Sequence, residues 1–364
     1  MLNLKGHVHV GRAKKIDAID IGGQHVQSGQ RASIELEIAR LYTHAPLNVS
    51  IEVLHGKLNG PVLLVCAAIH GDELNGIEVV RQIMAKIDPK KLHGTLIAIP
   101  VVNVFGFIHK SRYLPDRRDL NRSFPGSERG SIAGRMAYQL FDQVIRQCSH
   151  VIDLHTAAIH RTNLPQIRAN LDNQDAAAMA TAFGAPVVVD AALREGSLRA
   201  EAERIGIPVI TYEAGEALRF EPYAINAGVR GVIRVMRDLG MLRQTRRKTP
   251  YQPVTARSTK WVRAEADGLL RSHVALGESV NSGQVIGIIS DPAGVTETEI
   301  KAQQSGIVIG QHTLPVVNEG DAIFHIAFFS QPDDLIEQHM EDYRDQVKDD
   351  LDDEIKWGIG TLSS

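Results

Sequence analysis

Two cysteines in 364 residues are too few for a disulfide framework. Cys66 and Cys148 each sit beside an apolar run, which predicts two reduced core thiols in a cytoplasmic protein. No apolar run approaches the roughly 18 residues of a spanning helix, so no membrane partner is expected. The N-terminus, Met1-Leu2-Asn3-Leu4-Lys5-Gly6-His7, lacks the charged-then-apolar order of a signal peptide. Neither sign of charge is in large excess, and the net charge of −3 argues against nonspecific nucleic-acid binding. The one basic cluster, Arg243, Arg246, Arg247 and Lys248, has no aromatic-rich RNA-binding pattern beside it and reads as a solvated linker.

What the chain does have is an ordinary 43% of hydrophobic residues, enough for a large core, and room for two domains. Residues 1–60 look β-rich and are expected to pack on the domain C-terminal to them. Ile34-Glu35-Leu36-Glu37-Ile38 and Val49-Ser50-Ile51-Glu52-Val53 alternate as half-buried strands do. From 61 to 242 near-continuous apolar runs (62–69, 95–102, 151–154, 185–191, 208–212) alternate with helical stretches at about 76–87, 132–148, 174–183, 196–205 and 222–240. That alternation predicts an α/β fold, a mixed, largely parallel sheet with helices on both faces.

A basic linker spans 243–258. Residues 259–330 then hold an internal repeat offset by 37 to 38 residues. Val262 through Gly268-Leu269 matches Ile300 through Gly306-Ile307, and Val280, Gly283 and Ile286 match Val317, Gly320 and Ile323. Two such β units predict one small all-β barrel or sandwich. The acidic tail, 331–364, has Leu335, Ile336, Met340 and Val347 at loosely helical spacing.

Three apolar runs deliver chemistry at their ends. The run ending in Cys66 leads into Ala67-Ala68-Ile69-His70-Gly71-Asp72-Glu73. Val151-Ile152-Asp153-Leu154 delivers His155, and Pro208-Val209-Ile210-Thr211-Tyr212 delivers Glu213. Ligands of such sheets gather at the carboxyl ends of strands, which brings these distant residues together. Two imidazoles and a carboxylate suit a catalytic zinc with one open position. Gly71 and Gly76 would permit a tight turn close to the metal. Asp153 lies either on the far side of its strand or behind His155 as its orienter. Glu213 is a free carboxylate suited to general-base work, with Glu216 its rival. His109, His150 and His160 lack a companion carboxylate at comparable spacing.

A long charged loop carries Ser111-Arg112-Tyr113 and Asp119-Leu120-Asn121-Arg122-Ser123. Arginine forks bind carboxylates bidentately and Asn adds a neutral donor, so Arg112, Asn121 and Arg122 are candidate binders. Arg117, Arg118 and Arg129 read as surface charges. Arg168, in Leu164-Pro165-Gln166-Ile167-Arg168, reads as a loop residue that could meet a second carboxylate.

The order His70-Gly71-Asp72-Glu73, Asp119-Leu120-Asn121-Arg122, Asp153-Leu154-His155 and Tyr212-Glu213-Ala214-Gly215 resembles the succinylglutamate desuccinylase/aspartoacylase family, over about residues 60–240. That family is the amidohydrolase branch of the zinc-carboxypeptidase fold. The resemblance implies one zinc per chain on His70, Glu73 and His155, with Glu213 as general base. It implies that Arg112 polarises the scissile carbonyl and that Asn121 and Arg122 hold a substrate carboxylate. The expected substrate is a small N-acyl amino acid, or else a short peptide if the enzyme is a carboxypeptidase; a homo-oligomer is expected. Residues 259–330 resemble the biotinyl/lipoyl-type barrel, but the connection Ser290-Asp291-Pro292-Ala293-Gly294-Val295-Thr296 has no Lys to carry a cofactor.

Overall fold

The computed structural model describes residues 17–244, 253–329 and 343. The acidic tail, apart from Tyr343, and most of the basic cluster lie outside the described residues.

The N-terminal strands are half-buried because their apolar residues alternate. In β3 (Gln30–Arg40), after the small hairpin of β1 (Ile19–Ile21) and β2 (Gln24–Val26), Ile34, Leu36 and Ile38 are buried between exposed Glu35 and Glu37. Its partner β4 (Pro46–His55) buries Val49, Ile51 and Val53. These two strands do not pack as a layer on the catalytic sheet. β4 joins the sheet edgewise, antiparallel to β6 (His93–Ile99), and β3 extends it further.

β5 (Leu58–Ala67) has no alternation because both of its faces are covered. Leu63, Val65 and Ala67 enter one core with Val79, Val80, Ile83 and Met84 of α1 (Asn75–Lys86). Leu64 and Cys66 enter the opposite core with Met136, Ala137 and Leu140 of α3 (Ile132–Gln143). Between β6 and α3 lies the short α2 (Val104–His109). The helical stretch expected to reach 148 breaks after Gln143 into a 3₁₀ turn, Ile145–Gln147.

Next come β7 (His150–Ala157), β8 (Arg161–Ala169), α4 (Gln174–Phe183), β9 (Val187–Asp190), α5 (Leu198–Arg204), β10 (Val209–Glu216) and α6 (Pro222–Asp238). α4 starts on Asn173, whose side chain accepts from the Asp175 and Ala176 amides, and stops at Gly184. α4 and α6 cover the α1 face; α5 covers the other. Parallel pairing is confined to the centre, β6-β5-β7-β10, to β9 on β8, and to one strand added beside β9. The rest of the sheet is antiparallel, so it is mixed and less parallel than its apolar runs suggest.

β8 is not apparent in the sequence because Pro165 sits inside it. Proline is tolerated where ladder pairing is interrupted, and the β8–β10 register slips between Gln166↔Glu213 and Asn163↔Gly215. Arg168 therefore stands on a strand and not on a loop. Within the stretch read as linker, β11 (Val254–Ala256) is a strand parallel to β9.

The repeat has a structural counterpart. β12 (Ser258–Arg263), β13 (Gly268–Ser272), β14 (Ser279–Val280) and β15 (Val285–Ser290) correspond in order to β16 (Glu297–Lys301), β17 (Gly306–His312), β18 (Val316–Val317) and β19 (Ala322–Phe328). Each half sends alternate strands to two sheets: β12, β14, β17 and β19 to one, and β13, β15, β16 and β18 to the other. The same backbone bonds recur in both halves, Gly283 N–H to Ala302 O at 2.8 Å and Gly320 N–H to Ala264 O at 2.9 Å. The halves interlock over their own core, which includes Ile286, Ile289, Ile323 and Phe324. The unit is not free-standing. β17 pairs with β8 and makes one continuous sheet with the catalytic strands. A further apolar cluster (Leu164, Val187, Val254, Ile307, Ile309) seals the joint.

Candidate active site

The turn after β5 is fixed from behind. Val102 and Asn103 donate their amides to the Ala67 and Ala68 carbonyls, at 3.0 and 2.9 Å. A Cβ on Gly71 would lie 1.9 Å from the Gly106 carbonyl carbon, so only glycine lets α2 seat against the turn. The left-handed residue here is Ala68, at φ 51°, and not Gly71 or Gly76. The glycines serve close packing, since a Cβ on Gly76 would press on Ala67 and Leu154 at 2.8 Å. Asn75 ties this turn to the end of β10, donating to Ala214 O at 3.2 Å and accepting from Glu221 N–H at 2.9 Å.

His70, Glu73 and His155 then meet, all buried, with candidate ligand atoms within 4.8 Å of one another. The two Glu73 oxygens each face one imidazole: Oε1 lies 2.7 Å from His70 Nδ1 and Oε2 lies 2.7 Å from His155 Nδ1. An aspartate stands behind each ring. Asp153 Oδ2 is 2.8 Å from His155 Nε2, which places it on the same strand face as His155 and not on the far side. Asp119 Oδ1 is 3.3 Å from His70 Nε2, which has no hydrogen bond of its own. Arg112 anchors Nε and one terminal nitrogen on Asp119 Oδ2, at 3.2 and 2.8 Å. Its other terminal nitrogen reaches His70 Nδ1 at 3.2 Å and Glu73 Oε1 at 3.5 Å.

The electrostatics call for positive charge at this point. Burial disfavours ionised Glu73, yet the two imidazoles hold its carboxyl far below the usual carboxylate range. Burial likewise works against charged imidazoles, but the carboxylates outweigh it: Glu73 and Asp119 push His70 up, and Asp153 and Glu73 push His155 well up. Two imidazole nitrogens and a carboxylate converging in a buried cluster, each histidine backed by an aspartate, fit a tetrahedral divalent metal such as zinc.

Glu213 is on β10 in register with His155 on β7. Its Oε2 accepts from Asn163 Nδ2 at 3.0 Å, and Arg168 Nε is 3.8 Å from its Oε1. Glu216 turns elsewhere and accepts from the His160 amide at 3.0 Å. Asn121 Oδ1 accepts from Leu198 N–H at 2.9 Å at the start of α5, and the Arg122 guanidinium bonds the Asn121 carbonyl. Partial burial, with Arg194 and Arg112 nearby, depresses the Arg122 pKa against the pull of Asp119.

All eight residues singled out in the sequence line one cavity of about 280 Å³. Sequence reasoning missed several others. Arg161 and Asn163 are on the unrecognised β8, and Arg194 and Arg199 flank the start of α5. Trp261 and His325 come from the C-terminal unit, with rings stacked 4.6 Å apart and the Arg161 guanidinium 5.2 Å from the Trp261 ring. Asp119 was visible in its motif, but its place behind His70 was not. No local pattern marks the others, because their positions depend on how β8, β17 and β19 pair.

Among proteins of known type, the N-alpha-acetyl-L-2,4-diaminobutyric acid deacetylase of Halomonas elongata is 29% identical over 286 residues, 74% of this chain and 82% of that protein. The succinylglutamate desuccinylase/aspartoacylase structure from Rhodobacter sphaeroides superposes with a TM-score of 0.75 at 24% identity, covering 86% of this chain and 99% of that one. The product-bound ectoine utilization protein EutE (DoeB) of Ruegeria pomeroyi superposes at 0.74 with 23% identity, covering 83% and 96%. At those identities the two structures establish a shared fold. Residues 59–239 match the family model of the succinylglutamate desuccinylase/aspartoacylase catalytic domain, so the chain is similar to this family over that span.

Proposed function

We propose that the protein is a zinc-dependent amidohydrolase that removes the acyl group from an N-acyl amino acid. The observation that carries this reading is the buried His70–Glu73–His155 cluster sharing one cavity with a carboxylate outside that cluster, Glu213. Zinc held by those three residues would supply Lewis acidity to the attacking water and the scissile carbonyl. Glu213 takes the proton of that water and returns it to the departing amine nitrogen. Arg112, anchored on Asp119 with its remaining nitrogen beside His70 and Glu73, stabilises the negative charge that develops on the carbonyl oxygen. Asn121 has its oxygen committed to the Leu198 amide, which leaves its N–H donors to join Arg122 on the substrate carboxylate.

A volume near 280 Å³ is at the low end for small-ligand clefts and suits an N-acyl amino acid better than a peptide chain. The lining includes Arg112, Arg122, Arg161, Arg168, Arg194 and Arg199 against Glu73, Asp153 and Glu213. That balance disfavours an ammonium side chain such as that of N-acetyl-diaminobutyrate, the compound named for the Halomonas relative. Arg168 is the candidate reader of a further anionic group.

The test is zinc-loaded protein assayed against N-acetyl and N-succinyl amino acids, including Nα-acetyl-L-2,4-diaminobutyrate, and against dipeptides. Acyl-acid release from the N-acyl amino acids is expected. Release of amino acids from dipeptides alone would favour the carboxypeptidase reading.

A further inference from the structure

Besides Trp261 and His325 in the cavity wall, the C-terminal β unit reaches the site through Asn163 of β8. This residue lies on β8 between two glycines: Gly215 on β10 on one side and Gly310 on β17 on the other. It is 8% exposed and lines the cavity. A carboxylate only accepts, so the amide nitrogen must face Glu213, as it does at 3.0 Å. The amide oxygen is then turned towards Gly310. A Cβ on Gly310 would lie 2.9 Å from Asn163 Oδ1 and 3.1 Å from His325 Cβ. The space that fixes the amide is thus space left by a glycine of the C-terminal unit. Gln166, further along β8, is held by the same strand, donating to Ile309 O at 3.2 Å.

We propose that Asn163 is a positioning residue for Glu213, and that Gly310 of the C-terminal unit sets its orientation. This rests on the reading of Glu213 as the base. The Asn163 amide donates to one Glu213 oxygen, so that the other, 3.8 Å from Arg168 Nε, is the one turned to meet the attacking water. The C-terminal unit therefore belongs to the catalytic machinery, although none of its residues takes part in the proton transfer. Gly310 has no left-handed backbone, so Ala is conformationally allowed there, and the added methyl group acts only by contact. The nearest atom it meets is the tip of a flexible side chain, which will yield. Gly310→Ala should therefore push the Asn163 amide off Glu213 while the sheet remains paired.

The experiment is a double-mutant cycle on the zinc-loaded full chain, using the N-acyl amino acid it turns over fastest, with zinc content and melting temperature recorded for each variant. Asn163→Ala should lower kcat about ten- to hundredfold, the span of a hydrogen bond to a charged group. KM should stay within about twofold and zinc should stay bound. Gly310→Ala should lower kcat in the same way. The double variant should be no slower than Asn163→Ala, because the amide through which the methyl acts is gone. If Gly310→Ala alone does not fold, Asn163→Asp, which keeps the shape but replaces the donor nitrogen with an oxygen, serves in its place: it should lower kcat as Asn163→Ala does, and an unchanged kcat would overturn the proposal. Unchanged kcat in Asn163→Ala, a rise in KM in place of a fall in kcat, or losses that multiply in the double variant would each overturn the proposal. Glu213→Gln, run in parallel, separates the two readings. Full turnover there removes the base itself, whereas a dead Glu213→Gln beside a fully active Asn163→Ala removes only the positioning role.

Discussion

The two sides of the cavity are built on opposite rules. On the side formed by β5 and β7, nearly every polar atom is held. Glu73 faces both histidines, Asp153 and Asp119 stand behind them, and Arg112 is fixed on Asp119. On the side formed by β8, α5 and the C-terminal unit, cations accumulate without carboxylates to match them. Arg122, Arg161 and Arg194 form no ion pair among the described residues, and His325 Nδ1 is buried with no hydrogen bond. Arg122 and Arg194 are exposed and Arg161 is half-buried, so these cations stay solvated until an anionic ligand supplies a partner. On the proposed reading, the satisfied side suits a metal and the unsatisfied side an anionic substrate.

The largest effect should come from breaking the satisfied side. His155→Ala removes one of the three proposed ligands and leaves Glu73 and Asp153 without their shared ring. Bound zinc, measured by metal analysis, and turnover should both fall to background. Most secondary structure should persist, since His155 sits near the end of a strand buried in a preformed sheet. Full zinc occupancy in this variant would show that His155 is not a ligand.

Glu213 stands where the two sides meet, and its loss should be the next largest. Glu213→Gln keeps the shape and the Asn163 contact on one oxygen but cannot accept a proton. A fall in kcat of roughly 10² to 10⁴ is expected with zinc retained. A comparable fall in Glu216→Gln in its place would mean that the wrong carboxylate has been assigned, against the contact of Glu216 with the His160 amide.

The same contrast explains what could be read from the sequence. His70 and Glu73 lie in one turn, and His155 and Glu213 follow apolar runs, so one rule about strand ends joined all four. The repeat was legible because each half repeats the same glycine turns, Gly283 and Gly320. The cationic side was not legible. Pro165 hid β8 and with it the strand setting of Arg168 and Asn163. Nothing in the residues of β17 announces that it pairs with β8, because antiparallel edge pairing is chosen by the fit of whole surfaces and leaves no short motif. Trp261 and His325 reach the cavity only through that pairing.

The cationic side can be probed with the substrate. Converting the carboxylate of the best substrate to an amide should lower kcat/KM by about two orders of magnitude, since Arg122 is then left facing a neutral group. Arg122→Lys should lose much of the same discrimination, because an ammonium cannot form the planar two-nitrogen contact. Equal kcat/KM for the acid and the amide would assign the arginines to some task other than holding that carboxylate.

The smallest effect concerns stability and reads the cationic side without substrate. Burial, with Arg168 nearby, depresses the His325 pKa to about 3. Its imidazole is therefore neutral in the fold but titrates near ~6.5 once unfolded. Above that pH neither state is protonated and His325 costs nothing. As the pH falls below it, the unfolded chain takes up the proton and the fold loses stability, increasingly so down to the folded value. At a pH of about 4.5 the cost is about 2–3 kcal/mol. His325→Phe keeps a ring stacked on Trp261 and removes the titration along with an imidazole nitrogen that has no partner. The variant and the parent should melt at similar temperatures near pH ~7, and the variant should melt a few degrees higher near pH ~4.5. Thermal midpoints that fall in parallel for the two proteins between those pH values would show that His325 is not held neutral by its buried, arginine-facing site.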